Sequence, residues 1–173
     1  MEKKKNDFIA QGSILAIASI LVRVMGMIYR IPMTVIIGDK GNGFYSYAYS
    51  VYTILLLLSS YSLPLAVSKM VSAKAQLGQW CNVKRVFICA IAFAIGIGTT
   101  FGLIVLIGAQ FFTRVFFHSE LAAIALRFMA PTILIMALLG VFRGFFQGLQ
   151  NTLPTAVSQI VEGLINAIMS VVF

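Results

Sequence analysis

Six residues near the start of the chain carry its most telling chemistry. Gly12, Ala16, Ser19, Arg23, Gly26 and Arg30 follow one another at alternating steps of four and three. On a helix that spacing places them on one face, as a stripe of small residues with two guanidinium groups. Arg23 lies about 15 residues into the apolar run that begins at Phe8, and at about 1.5 Å rise per residue this is near the centre of a bilayer. An arginine at that depth costs several kcal/mol unless it is hydrated or paired. It cannot shed its proton, so it needs water, an acid or an anionic ligand. A static ion pair that fixes helix packing is the alternative to a binding role. Arg30 and Arg127 lie closer to the outer surface, where snorkelling competes with function.

A second polar stripe, Ser158, Glu162, Asn166 and Ser170, recurs every four residues near the end of the chain. Glu162 is the one acid in any apolar run. Three roles are open to it: pairing with Arg23, coordinating a cation, or taking up a proton. Asn166 sits one turn further along. The remaining motifs concern packing. Gly98 and Gly102 form a small-xxx-small face, and Gly140, Gly144 and Gly148 repeat every four residues, as close helix contacts require. Gly26 belongs to the first stripe, where a small residue admits a neighbouring helix or leaves space for a cavity. Arg143, Gln147 and Gln150 line a strip beside the glycine row, suited to helix ends or phosphate headgroups.

These residues must be held by helices in a membrane. Of the chain, 60% is hydrophobic and 10% charged, too few charges for the polar shell of a soluble fold. The apolar residues form long runs, and a hydrocarbon core about 30 Å thick needs roughly 20 of them per helix. Spans are expected at about 8–37, 44–70, 86–112, 121–148 and 155–173, the last one broken off at the end of the chain, as in an incomplete N-terminal lobe. Pro32 is an expected kink, Gly38 to Gly43 an expected turn, and Pro64 an expected bend or break. The tyrosines from Tyr45 to Tyr52 suit a membrane interface. The first run is too long for a signal peptide, contains Arg23 and Arg30, and is taken as a retained span.

The net charge of +8 does not form a dense basic face, so nucleic acid is not an expected partner. It does sort by loop. Lys3, Lys4, Lys5, Lys69, Lys74, Lys84, Arg85 and Arg143 fall on one side, whereas Lys40 and Arg114 fall on the other. The N-terminus is therefore expected to be cytoplasmic. Cys81 and Cys89 have no disulfide framework to serve on that side. His118, in a short loop with Arg114 and Glu120, lacks the neighbours of a metal ligand. No phosphate-binding glycine loop of the G-x-x-x-x-G-K type occurs. Neither an enzyme nor a cofactor is expected.

Several blocks resemble a known family. They are R-V-M-G-M-I-Y-R-I-P from Arg23 to Pro32, I-G-D-K-G-N-G-F-Y from Ile37 to Tyr45, and L-P-L-A-V-S-K from Leu63 to Lys69. R-G-F-F-Q-G-L-Q-N from Arg143 to Asn151, P-T-A-V-S-Q from Pro154 to Gln159, and Glu162 continue the series. Together they resemble bacterial polysaccharide-biosynthesis membrane proteins of the stage V sporulation protein B type. That group lies in the multidrug/oligosaccharidyl-lipid/polysaccharide exporter superfamily, with the lipid II flippases. The resemblance implies an all-α polytopic bundle of about fourteen helices in two lobes, of which this chain is part of the N-terminal one, opposite a missing C-terminal lobe.

It further implies a multi-pass protein of the bacterial cytoplasmic membrane, among membrane lipids, that moves an undecaprenyl-linked saccharide of cell-wall, peptidoglycan or sporulation assembly by alternating access. Arg23 and Gly26 match the family's R-V-x-G element, and Arg30 stands one position from its second arginine. On this reading Arg23 and Arg30 hold the lipid pyrophosphate. Glu162 and Asn166 then balance charge or couple transport to a proton or sodium ion. A multidrug exporter of the same superfamily and a non-transporting membrane scaffold are the alternatives.

Overall fold

The expected turn from Gly38 to Gly43 is reduced to one residue. In the computed structural model, helix α1 runs Glu2–Ser60, and Gly38 alone departs from helical geometry, at φ 71 and ψ 173. That combination is essentially confined to glycine, because any Cβ would clash with the backbone. Tyr45 lies within electrostatic reach of both Tyr29 and Arg30. On an unbroken helix Tyr29 and Tyr45 would be about 24 Å apart, so Gly38 redirects the chain sharply. Pro32 does not interrupt the helix; helical geometry passes through that residue.

The structure describes residues 2–60, 62–117 and 121–172; for 2–11, 58–60, 116–117, 121 and 171–172 it describes the backbone alone. Four more helices follow: α2 Leu63–Gln76, α3 Trp80–Phe117, α4 Leu121–Gly148 and α5 Leu153–Val172. The expected span 44–70 is thus divided, with α2 separate from α1. Pro64 occupies the first turn of α2, where its missing N–H is no loss and its ring disfavours helix in the preceding residue. Arg114, expected in a loop, lies in the last turn of α3. His118 and Glu120 are outside the described residues.

Two helix ends close in the same way. At the end of α2, Gly78 donates to the Ala75 carbonyl and Gln79 to that of Lys74, each at 3.0 Å. At the end of α4, Gln150 donates to Gln147 and Asn151 to Phe146, again at 3.0 Å. Both are Schellman closures, which need a left-handed residue. Gly78 fills that place at φ 69, and Gln150 does so at φ 58.

The described residues contain helices and no strand. Three helical stretches are long and apolar enough to cross a membrane: Gly12–Leu57, Trp80–Val115 and Ala122–Gly148. The protein is a multi-pass helical membrane bundle. Its outer surface carries large apolar side chains such as Val35, Ile107 and Phe128, as lipid contact allows.

Helix α4 is the centre of the bundle. Leu126, Ala130 and Ile133 pack with Ala48 and Val51 of α1 and with Val105 and Ala109 of α3. Further along, Ala137 and Val141 meet Leu63, Val67 and Val71 of α2 and Ala94 of α3. Many of these residues are small. In lipid, helices gain little from hydrophobic burial, and close backbone approach supplies the attraction instead.

The glycines mark the tightest crossings. A Cβ on Gly98 would stand 2.9 Å from the Leu134 Cα, and one on Gly102 would stand 3.4 Å from the Ala130 carbonyl oxygen. Added to Gly144, it would lie 2.8 Å from the Pro64 Cα; added to Gly148, 2.8 Å from the Ser68 carbonyl oxygen. The α4 glycine row is therefore a notch for α2. Gly140, in the same row, is buried. Gly26 differs, because a Cβ there meets nothing within 4 Å. Among the described residues it leaves space and admits no helix.

Candidate functional site

Helices α1 and α5 meet where a side chain is missing. A Cβ on Gly163 would stand 2.9 Å from the Met25 Cε and 3.3 Å from Val22. Beside this contact lies a cleft of about 290 Å³ between α1, α4 and α5. From α1 it is lined by Ser19, Val22, Arg23 and Tyr29. Gln159, Glu162, Gly163 and Asn166 line it from α5, at helical steps that put them on one face, and Arg143 enters from α4.

Glu162 does not pair with Arg23. Its Oε2 accepts a hydrogen bond from Arg143 Nη2 at 2.6 Å. The Arg143 side chain is 18% exposed and that of Glu162 39%, so the pair is partly buried. Of the roles open to Glu162 the structure shows a pairing, and the partner is Arg143 of α4, whose side chain lines the cleft. The reason is placement. Both residues lie on the facing sides of helices joined by the tight α4–α5 turn, whereas Arg23 approaches from a third helix.

Arg23, which is exposed, stands apart from that pair. Among the described residues it forms no ion pair, yet it lines the same cleft as Asn166 and Tyr29. Other polar groups there are also unsatisfied. The Gln159 Oε1 and the Arg143 Nε are buried without a hydrogen-bond partner, which costs about 1–3 kcal/mol for a neutral group and more for a charged one. Ser19 is satisfied locally by donating to the Leu15 carbonyl at 2.8 Å. Arg30 is exposed and does not line the cleft. Ser158 donates to the Thr155 carbonyl at 2.9 Å and is likewise outside it.

The arrangement thus holds two guanidinium groups against one carboxylate. Amide and hydroxyl groups of Gln159, Asn166, Ser19 and Tyr29 stand beside them. Sequence reasoning missed Tyr29, Gln159 and Gly163 as members, and assigned Arg143 elsewhere. Gln159 stands three residues before Glu162, and Gly163 three residues before Asn166. Their helical register was the available sign. Among the described residues no cluster of His, Cys, Asp and Glu could hold a metal, and Cys81 and Cys89 are free thiols.

The class defined by this fold is a multi-pass helical membrane protein, with a partly open cleft lined by two arginines and one glutamate. The family model described as polysaccharide biosynthesis protein matches residues 8–173, and the chain belongs to that family. It is similar to three proteins of Bacillus subtilis (strain 168). With the lipid II flippase MurJ it is 27% identical over 163 residues, covering 90% of this chain and 30% of that protein. Identity to stage V sporulation protein B is 27% over 161 residues, 93% of this chain and 31% of the relative. For the uncharacterized membrane protein YabM it is 28% over 159 residues, 91% and 29% of the respective lengths. The chain therefore spans about 30% of the length of these relatives. No solved structure matches it.

Proposed function

We propose that this chain forms one wall of a flippase for a lipid-linked saccharide, with the cleft receiving the lipid's pyrophosphate. The observation that carries this reading is Arg23, a cation inside the cleft with no acid of its own. An anionic ligand supplies the missing charge through charge-assisted hydrogen bonds, and the planar guanidinium fork suits phosphate oxygens. The similarity to a lipid II flippase supports the substrate class.

Glu162 has a distinct part in this mechanism. It balances Arg143 until an anion competes for that guanidinium, and it is then released to accept a proton or sodium ion. Anion binding and cation uptake are coupled through one ion pair. The bundle acts as part of a MATE-like lobe that rocks against an opposing lobe, exposing the cleft to each side in turn. The loop distribution of Lys and Arg supports a cytoplasmic N-terminus in a bacterial cytoplasmic membrane. Arg30, outside the cleft, serves the approach of the anion.

A multidrug exporter needs a free acid for cationic drugs, and in the described cleft the acid is already engaged by Arg143. The experiment is Arg23→Ala in the intact protein. Complementation of a strain lacking the flippase is abolished at unchanged membrane abundance. Normal growth with that variant overturns the assignment of the cleft.

A further inference from the structure

A second groove lies away from the arginine cleft, between α2 and α3. It encloses about 600 Å³. Leu63 and Met70 of α2 and Val86, Ala90 and Phe93 of α3 form apolar walls. Its polar end, beside the Leu77–Gln79 turn, is made by Lys74, Asn82 and Arg85. The Gly144 and Gly148 notch holds one flank of α2 against α4, and the other flank faces α3 across this groove.

Its dimensions and charge point to one kind of occupant. From Lys74 back to Leu63, α2 rises about 16 Å, which is half of a hydrocarbon core about 30 Å thick and so the depth of a single leaflet. Among the described residues no acid pairs with Lys74 or Arg85. The groove therefore presents two uncompensated cations at the end that meets the headgroups, and apolar side chains along the rest. Trp80, exposed at the start of α3 beside the turn, is a residue type enriched at that level of the membrane.

We propose that the α2–α3 groove binds one anionic phospholipid, with its phosphate on Lys74 and Arg85 and an acyl chain along Met70, Ala90 and Phe93. A zwitterionic lipid brings its own cation to the same place and loses the advantage. Each of the two basic residues contributes about fivefold to the preference. Free phosphate has the charge but nothing to fill the apolar part.

The sole tryptophan can be moved into the groove to read this out. In the full chain carrying Trp80→Phe and Phe93→Trp, the reporter sits at the groove's apolar end, at a position already 57% exposed and so tolerant of a larger ring. The protein is reconstituted in phosphatidylcholine vesicles containing small matched fractions of chain-brominated phosphatidylglycerol or chain-brominated phosphatidylcholine. The anionic quencher is expected to reach half-quenching at a mole fraction roughly 25-fold lower. Lys74→Gln with Arg85→Gln removes that difference. Lys69→Gln with Lys84→Gln, which deletes the same charge from exposed positions outside the groove, keeps it. Unbrominated phosphatidylglycerol relieves the quenching, and inorganic phosphate does not. Equal quenching by the two lipids overturns the proposal, as does an equal effect of both charge deletions or relief by phosphate. The competition arms need no charge variant, so they decide the matter even if the Lys74/Arg85 variant does not fold.

Discussion

Arg143 of α4 holds Glu162 of α5 at 2.6 Å, and Arg23 of α1, in the same cleft, is left without an acid. One arginine of the cleft is thus paired, and the other is the one proposed to bind the anion. Losing Arg143 strands a carboxylate in a partly buried place. Arg143→Ala is expected to lower stability by about 1–3 kcal/mol, the range for leaving a hydrogen-bonding partner unsatisfied. The exchange Arg143→Glu with Glu162→Arg should recover much of it. Thermal unfolding of the detergent-solubilised protein measures both, and a neutral Arg143→Ala would show that the pair contributes nothing to folding.

Arg23 should behave differently. Since it pairs with no acid among the described residues, Arg23→Ala is expected to leave the unfolding temperature unchanged or raise it, while transport is lost. Arg23→Lys keeps the charge and lacks the fork, and should retain activity reduced by about tenfold. Transport of a fluorescent lipid-linked saccharide in vesicles checks the order wild type, Lys, Ala. Equal activity of the Lys and Ala variants would show that charge at this position is irrelevant.

The glycines offer a paired contrast. Gly144→Ala drives a methyl group into the backbone at Pro64 and should destabilise by about 1–3 kcal/mol through overpacking. Gly26→Ala meets open space and should stabilise by about 0.5–1 kcal/mol, from the better helix propensity of alanine. Unfolding measurements on both variants test the difference in sign.

Gly38 is a separate case, because its difficulty is conformational and not spatial. Gly38→Ala has room for its methyl group but must hold φ 71 and ψ 173. A cost of about 1–3 kcal/mol is expected. Cysteines placed at Tyr29 and Tyr45 should cross-link through a flexible reagent in the parent and less readily in the Gly38→Ala variant.

Gln150 predicts a gain. It occupies the left-handed position that closes α4, where a side chain costs about 1–2 kcal/mol relative to glycine. Gln150→Gly should raise the unfolding temperature without affecting transport, since Gln150 lies outside the arginine cleft. A lowered unfolding temperature would mean that its side chain makes a compensating contact.

The membrane character of the chain, its helices and its candidate cations were legible in the sequence, because each follows from local rules. Hydrocarbon demands apolar runs of a set length, and any charge inside them stands out. Glycines at steps of four show that a helix approaches, and at Gly98, Gly102, Gly144 and Gly148 one does. What such periodicity lacks is the identity of the neighbour. Gly26 has the same spacing and faces open space; Gly163, outside any repeat, makes the contact between α1 and α5.

Ion pairing shows the same boundary most clearly. The sequence determined by itself that Glu162 was the only acid available inside the bundle and that several arginines could claim it. The tertiary structure decided the claimant, because pairing depends on which side chain reaches α5 at that height, and Arg143 of α4 is the one in contact with Glu162. Likewise, composition marked Gly38 as a turn residue, but only the folded backbone showed that one glycine redirects the chain while Pro32 stays helical. Types of residue fix what each position can do in a bilayer; three-dimensional proximity selects which of those possibilities is used.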